Sequence, residues 1–247
     1  MRQLAPYAVL YLLAIACAAG VATASQAAEA PLAVQIGYLG YRPDPGPLLS
    51  NVIPEPADAG QRGAELAIID SNSTGAFLNQ RYSLTAATAD SPDALLAAAQ
   101  AQHAQGLRLF VVNAPAASLR QLSAALPDSL LFNAGSPDDS LRSTDCLGNV
   151  LHTLPSRAML ADALAQFLVV RKWQKALLIV GPTEDDQAYA AALRRAAKRF
   201  GVKLVAEKAW RFDNDQRRSA QADMPLFTQT AEYDVVLVAD ERGDFGE

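Results

Sequence analysis

Asn149 to Arg211 reads NVLHTLPSRAMLADALAQFLVVRKWQKALLIVGPTEDDQAYAAALRRAAKRFGVKLVAEKAWR, and its punctuation decides the fold class. Val150 to Thr153 is a short apolar strand, Pro155-Ser156 follows it, and Arg157 to Arg171 is a long alanine-rich helix. Ala176 to Val180 is a buried-strand run, Gly181-Pro182-Thr183 a break, Asp186 to Phe200 a helix closed by Gly201, and Val202 to Trp210 the next strand. Strand and helix alternate in this way along the whole chain, which predicts an α/β fold with a parallel sheet wrapped by helices.

Upstream, Leu32 to Ile36 is a strand leading into Gly37-Tyr38-Leu39-Gly40-Tyr41. The proline-rich passage from Pro43 to Pro56 is excluded from helices and central strands, because proline lacks the backbone donor. A helix is expected over Ala57 to Ile69, ended by a turn at Asp70-Ser71-Asn72-Ser73-Thr74-Gly75, and Tyr82 to Ala87 reads as the second strand. Ser91-Pro92 opens a helix that runs to Gln105 before Gly106 stops it. Leu107 to Val112 is a strand, Ala116 to Leu126 a helix, Leu130 to Asn133 a strand, and Asp234 to Ala239 the last strand. The pattern divides into two Rossmann-like lobes, residues 31–142 and 143–247, with the crossing near Ser143 to Thr153. About three core strands fall in the second lobe, fewer than a common sheet holds. Asp240 to Glu247 stands where the next crossover helix is expected, so the second lobe reads as incomplete.

The 247 residues, 51% of them hydrophobic, suffice for one large domain or two small ones. Residues 1–24 differ in kind: Arg2 supplies a positive start, Val9 to Val21 an apolar run, and Ala22-Thr23-Ala24 a small-residue cleavage site. This reads as a secretory signal peptide, with an uncleaved anchor as the alternative. Cys17 raises acylation, but Ala14-Ile15-Ala16 lacks the leucine expected three residues before such a cysteine. With the leader gone, Cys146 is the one remaining thiol, which excludes an intramolecular disulfide or a cysteine zinc cluster, and a small half-buried side chain is expected there. Loss of Arg2 leaves 20 basic against 26 acidic side chains, a formal charge of −6. That balance argues against nucleic acid as a partner. Arg194, Arg195, Lys198 and Arg199 cluster at helical spacing, as on a solvated helix face.

Ligands of open parallel sheets bind beyond the carboxyl ends of the strands. The loops so placed are Gly37 to Arg42, Asn113-Ala114-Pro115, Ala134 to Ser136, Gly181 to Gln187, and Asp240 onward. They nominate Tyr38, Asn113, Ser136, Thr183 and Asp240 as ligand-binding residues. Arg42 and Arg142 are nominated as bidentate clamps for a carboxylate, with Arg157 a third candidate because a cation at a helix start opposes the dipole. Trp210 is nominated as a stacking face for a flat ligand, whereas Trp173 is expected to pack beneath its strand. The sequence has no Gly-x-Ser-x-Gly elbow, Walker loop or His-Glu-x-x-His motif. His103 and His152 lack ligand-spaced neighbours, and Glu184, Asp185 and Asp186 are expected to complement a helix dipole. Binding, with no metal and no required cofactor, is therefore favoured over catalysis.

Gly63-Ala64-Glu65-Leu66-Ala67 with Asp70 to Gly75, Leu151 to Ser156, and Ala196-Ala197-Lys198-Arg199-Phe200-Gly201 resemble the type 1 periplasmic substrate-binding proteins, the branched-chain amino acid ABC-transporter type in particular. The resemblance covers nearly all of the chain after the leader. It implies the type 1 periplasmic-binding fold, a small-molecule ligand between the lobes and an inner-membrane ABC permease as partner. A narrower resemblance lies in Ile36-Gly37-Tyr38-Leu39, the passage through Pro56, Pro155 to Ala165, and Val238-Ala239-Asp240-Glu241 with Phe245-Gly246-Glu247. These look like the binding proteins associated with pyrroloquinoline quinone (PQQ)-dependent alcohol dehydrogenase systems. That implies a periplasmic protein whose ligand is connected with quinoprotein alcohol oxidation, PQQ itself being one such molecule. A non-transport accessory protein contacting a quinoprotein dehydrogenase or its cytochrome is the alternative. The chain departs from the parent pattern at Asn113-Ala114-Pro115, which offers no hydroxyl, and at Pro182-Thr183, where an aromatic is usual. Both departures point away from an amino-acid ligand.

Overall fold

The computed structural model describes residues 30–44, 56, 58–210, 224–241, 243 and 245. The leader, Cys17 and most of the proline-rich passage lie outside the described residues. Eight strands are present in these regions: β1 (Leu32–Tyr41), β2 (Gln80–Ala89), β3 (Leu109–Asn113), β4 (Leu130–Asn133), β5 (Val150–His152), β6 (Lys175–Val180), β7 (Lys203–Ala209) and β8 (Val235–Ala239). The helices are α1 (Gln61–Gly75), α2 (Pro92–Ala104), α3 (Ala116–Ala125), α4 (Arg157–Val170) and α5 (Glu184–Phe200), with a 3₁₀ turn at Ser140–Arg142. One sheet has the order β2-β1-β3-β4-β5 and the other β7-β6-β8. The pairs β1–β3, β3–β4, β4–β5, β6–β7 and β6–β8 are all parallel.

Local chemistry sets the helix boundaries. Ser91 caps α2, accepting from the Ala94 amide at 3.4 Å, and Ser156 caps α4 through the Met159 amide at 3.3 Å. At α5 the Thr183 hydroxyl and the Asp186 carboxylate form a reciprocal capping box, and Gly201 ends the helix at φ 77°. β6 is buried on both faces: Leu178 and Val180 join Leu168, Leu193 and Leu237 on one side, while Leu177 and Ile179 meet Trp210 and Phe227 on the other. An apolar run without alternation is the signature of such a strand. Leu39, Leu95, Phe110, Leu119 and Leu131 form the core of the first sheet. Arg194 pairs with Glu207, and Arg195 and Arg199 both pair with Asp162 of α4, so the basic residues of α5 do line a solvated face.

The chain separates into two compact units, Met1–Val34 with Leu66–Ser83, and Gln35–Glu65 with Leu84–Glu247. In the first, Asn72 clamps the backbone of Tyr82, donating to its carbonyl at 2.9 Å and accepting from its amide at 2.8 Å. The second contains the greater part of the first sheet and all of the second.

Four local expectations are corrected. Gly37 to Tyr41 is strand rather than loop, because Gly37 lies in register with Phe110 and leaves room for its ring. Asp70 to Gly75 continues α1, and the chain turns afterwards through residues 76–79, with Asn79 at φ 54°. β5 belongs to the first sheet, so the passage to the second follows His152 rather than beginning at residue 143. Cys146 is exposed, not half-buried.

A Cβ at residue 37 would lie 2.5 Å from Phe110 Cδ1. Gly37→Ala is expected to cost about 1–3 kcal/mol by overpacking, read as a lower urea midpoint at unchanged m-value.

Candidate functional site

The carboxyl end of β4 is organised by Asn133, which is wholly buried. Its Oδ1 accepts from the amides of Gly135 at 3.2 Å and Ser136 at 2.9 Å. Its Nδ2 donates to the Ser136 carbonyl at 2.8 Å and lies 3.0 Å from His152 Nδ1. The Asn133 carbonyl accepts both the amide and the hydroxyl of Thr153, at 3.0 and 2.9 Å. One residue thus fixes the loop after β4 and the start of the crossing into the second sheet. Burial depresses the His152 pKa below its ordinary value and the neighbouring Arg142 charge adds to the effect, against a hydrogen bond with the Leu141 backbone.

Beside this loop, Tyr38 and Asn113 meet at the ends of β1 and β3, with Asn113 Nδ2 donating to the Tyr38 hydroxyl at 3.4 Å. Gly60, at φ 81°, backs onto both: a Cβ there would approach Tyr38 Oη at 2.5 Å and Asn113 Nδ2 at 2.8 Å. Gly135 closes in from the other side, where a Cβ would lie 2.6 Å from Asn113 Oδ1. Tyr38 is consequently only 3% exposed. Ser136 is also buried, its hydroxyl accepting from the Asp138 amide at 3.4 Å.

The second sheet approaches through α4. The Arg157 amide donates to the Pro137 carbonyl at 2.9 Å, and the Ala158 amide to Asp139 Oδ1 at 2.9 Å. The Arg157 side chain, 6% exposed, points to the acids of the second sheet. Its Nε and Nη2 bind both oxygens of Glu241, and Nη2 also reaches Asp185 Oδ1 at 2.6 Å. Burial opposes the charged guanidinium, but the hydrogen bond and charge of Glu241, then the charges of Asp185 and Asp138, outweigh it and raise the Arg157 pKa. Asp186, 1% exposed, accepts from the amides of Thr183 at 3.0 Å and Glu241 at 2.9 Å. Gly181 is required there, since a Cβ would collide with the Asp186 carboxylate.

The nominated residues therefore separate into groups. Tyr38, Asn113 and Ser136 come together at the ends of β1, β3 and β4. Arg142 lies behind that loop, donating through Nη2 to the Leu154 carbonyl, with Nη1 buried and unpartnered; burial lowers its pKa, which Asp139 partly opposes. Arg42 donates to the Pro56 carbonyl. Thr183 serves as the α5 cap, and Asp240 closes a turn by accepting from the amides of Gly243 at 3.1 Å and Phe245 at 2.6 Å. Trp210 is buried, edge-on to Phe245 at 5.6 Å, so its indole packs rather than presenting an open face. Trp173 packs against the second-sheet core as expected, edge-on to Phe167 at 6.3 Å. Reading the sequence missed Asn133, Gly60, Gly135 and Glu241. An asparagine ending a strand and glycines in loops were visible, but their partners are distant in sequence. Among the described residues no three His, Cys, Asp or Glu side chains are grouped to hold a metal ion, and no helix is long and apolar enough to cross a membrane.

The same arrangement of parallel sheets occurs in solved periplasmic proteins. An ABC transporter substrate-binding protein from Desulfitobacterium hafniense superimposes with a TM-score of 0.65 at 17% identity, covering 87% of this chain and 60% of that one. The chain has the type 1 periplasmic-binding fold. A branched-chain amino acid ABC transporter periplasmic ligand-binding protein from Burkholderia xenovorans gives 0.62 at 16% identity, over 83% of this chain and 60% of that one. A leucine-, isoleucine-, valine-, threonine- and alanine-binding protein from Brucella ovis, in a closed conformation, gives 0.60 at 15%, over 87% and 55%. The likeness at these identities is one of fold, and the chain spans about 60% of the length of the first of these proteins. The matched type 1 proteins are binding proteins rather than enzymes. No family model matches the chain, and no curated protein matches it in sequence.

Replacing Arg157 by Met is expected to cost about 3 kcal/mol, because Glu241 is left without its cation. Adding Glu241→Gln should recover part of that loss. Urea denaturation of the two single variants and the double variant checks it, and additive losses would contradict the pairing.

Proposed function

We propose that this chain captures a small solute in the periplasm, after removal of residues 1–24, and presents it to an inner-membrane ABC permease. The observation that carries this reading is the meeting of the loop after β4 with the start of α4, through Pro137 and Asp139 on one side and Arg157 and Ala158 on the other. The start of α4, which leads to the second sheet, there meets the loop at the end of β4, and a solute would be gripped by relative movement of the two sheets about Thr153, just after β5. The ligand surface in this reading comprises Tyr38, Asn113 and Ser136 from the first sheet and Thr183 and Asp240 from the second, with Arg42 and Arg142 as clamps for an anionic group. Trp210 would contribute through its packing on Phe245 rather than by open stacking.

The ligand we favour is connected with PQQ-dependent alcohol oxidation. PQQ is flat and carries three carboxylates, a chemistry that guanidinium groups suit. No cofactor is needed for capture. The structural relatives, by contrast, include a D. hafniense protein in complex with leucine. Asn113-Ala114-Pro115 supplies no hydroxyl for an amino-acid head group, which supports a different ligand here.

One observation favours a second reading, an accessory protein that contacts a quinoprotein dehydrogenase or its cytochrome. Met159, Leu160, Phe167 and Val170 of α4 are all exposed, an apolar strip suited to a protein contact.

Titration of the chain with PQQ, followed by tryptophan fluorescence and by small-angle scattering, tests the capture reading. Saturable quenching at micromolar concentration with a smaller radius of gyration is expected. A folded chain that binds neither PQQ nor small organic acids, yet associates with a purified quinoprotein dehydrogenase, would replace capture by the accessory reading.

A further inference from the structure

We propose that His152 makes the loop after β4 proton-sensitive, so that the site releases its solute when the imidazole is protonated. This rests on the capture reading, of which it names a regulation.

The argument starts from Asn133. Its Oδ1 is held by two backbone donors, Gly135 and Ser136, and its Nδ2 already donates to the Ser136 carbonyl. Turning the amide over would set Nδ2 against two N–H groups and Oδ1 against a carbonyl, so the loop itself fixes which end of the amide faces β5. That end is a donor. His152 Nδ1, 3.0 Å away, must therefore be the unprotonated acceptor, which leaves the proton on Nε2. A second proton on the ring would face donor against donor across this contact.

The charged groups around the ring reinforce the conflict. From the 3₁₀ turn, Arg142 sets a second positive charge beside it. From β4 the neighbour is the neutral Asn133, and from the turn the Leu141 backbone. Asp139, the carboxylate that acts on Arg142, has Oδ1 engaged by the Ala158 amide. Among the described residues, no carboxylate pairs with His152 to welcome the proton. The depressed pKa is the expected companion of this geometry. The sign follows: the unfolded imidazole titrates near about 6.5, the folded one lower, so the native state binds fewer protons between the two values. The stability that neutral His152 contributes is present above about pH 6.5 and lost as pH falls through the folded value.

Protonation also has a route to the site. Breaking the Asn133–His152 contact frees the amide that positions Gly135 and Ser136, and it disturbs Thr153, whose amide and hydroxyl both donate to the Asn133 carbonyl. Ser136 belongs to the solute surface, and Thr153 to the crossing between the sheets. Affinity should fall by up to about tenfold per pH unit below the His152 midpoint if the bound state needs the neutral ring.

The chain has 2 histidines, which makes the test direct. The ring resonances of His103 and His152 would be followed by NMR against pH, together with the backbone amides of Gly135 and Ser136, in the wild type and in His152→Gln, whose amide can accept from Asn133 without titrating. PQQ binding at pH 7.5 and 5.5 in the same two proteins cancels the titration of PQQ itself. The proposal expects the Gly135 and Ser136 amides to move with the His152 midpoint, and a loss of PQQ affinity at low pH that His152→Gln abolishes. Arg142→Gln, a second variant should His152→Gln fail to fold, is expected to raise the midpoint. Loop amides that ignore the His152 titration, or a pH response of binding unchanged by His152→Gln, overturn the proposal and leave capture standing. Loop amides that follow His152 in a chain that binds no PQQ at either pH support the loop switch and count against PQQ capture.

Discussion

Asn133 has to satisfy a full amide inside the protein, and the way it does so constrains the first sheet, the loop beyond it and the crossing to the second. A buried amide left unpaired costs about 1–3 kcal/mol. Here the side chain spends its acceptor on two loop amides and its donors on Ser136 and His152, while the backbone carbonyl takes both donors of Thr153. The loop from Ala134 to Pro137 is therefore held by the strand that precedes it. Because Pro137 and Asp139 in turn receive the first amides of α4, the start of that helix is tied to the same loop.

Arg157 performs the corresponding task at the second sheet. A guanidinium at a helix start is unfavourable in isolation, since it opposes the positive end of the dipole. It is tolerated here because the side chain leaves the helix axis for Glu241 and Asp185, and because Asp139 accepts the Ala158 amide in its place. Two neighbouring acids are engaged by backbone amides instead: Asp186 accepts from Thr183 and Glu241, and Asp240 from Gly243 and Phe245. The donors, acceptors and charges at these strand ends are paired within the protein.

How far the sequence could be read depended on whether a residue's partner was near it in the chain. The Ser91 cap and the Gly201 stop act over a few residues, and each was legible, whereas Thr183, read as part of a break and as a ligand residue, proves to be half of the capping box with Asp186. Gly37 misled because a glycine is read locally as a turn, whereas its lack of a side chain serves Phe110, more than seventy residues on. Trp210 misled in a similar way, for a tryptophan at a strand end gives no sign of the Phe245 and Phe227 that cover it.

The sequence by itself determined the alternation of strand and helix, the parallel class of the sheets and the caps at which helices begin, because these follow from hydrophobic period and from side chains bonding to backbone close by. Only the tertiary structure decided that β5 joins the first sheet, that Arg157 is buried against Glu241 and that Asn133, rather than any nominated ligand residue, governs the strand ends. Those outcomes depend on burial and on contacts between residues up to 84 positions apart, where the energy of a pair is set by what excludes water from it.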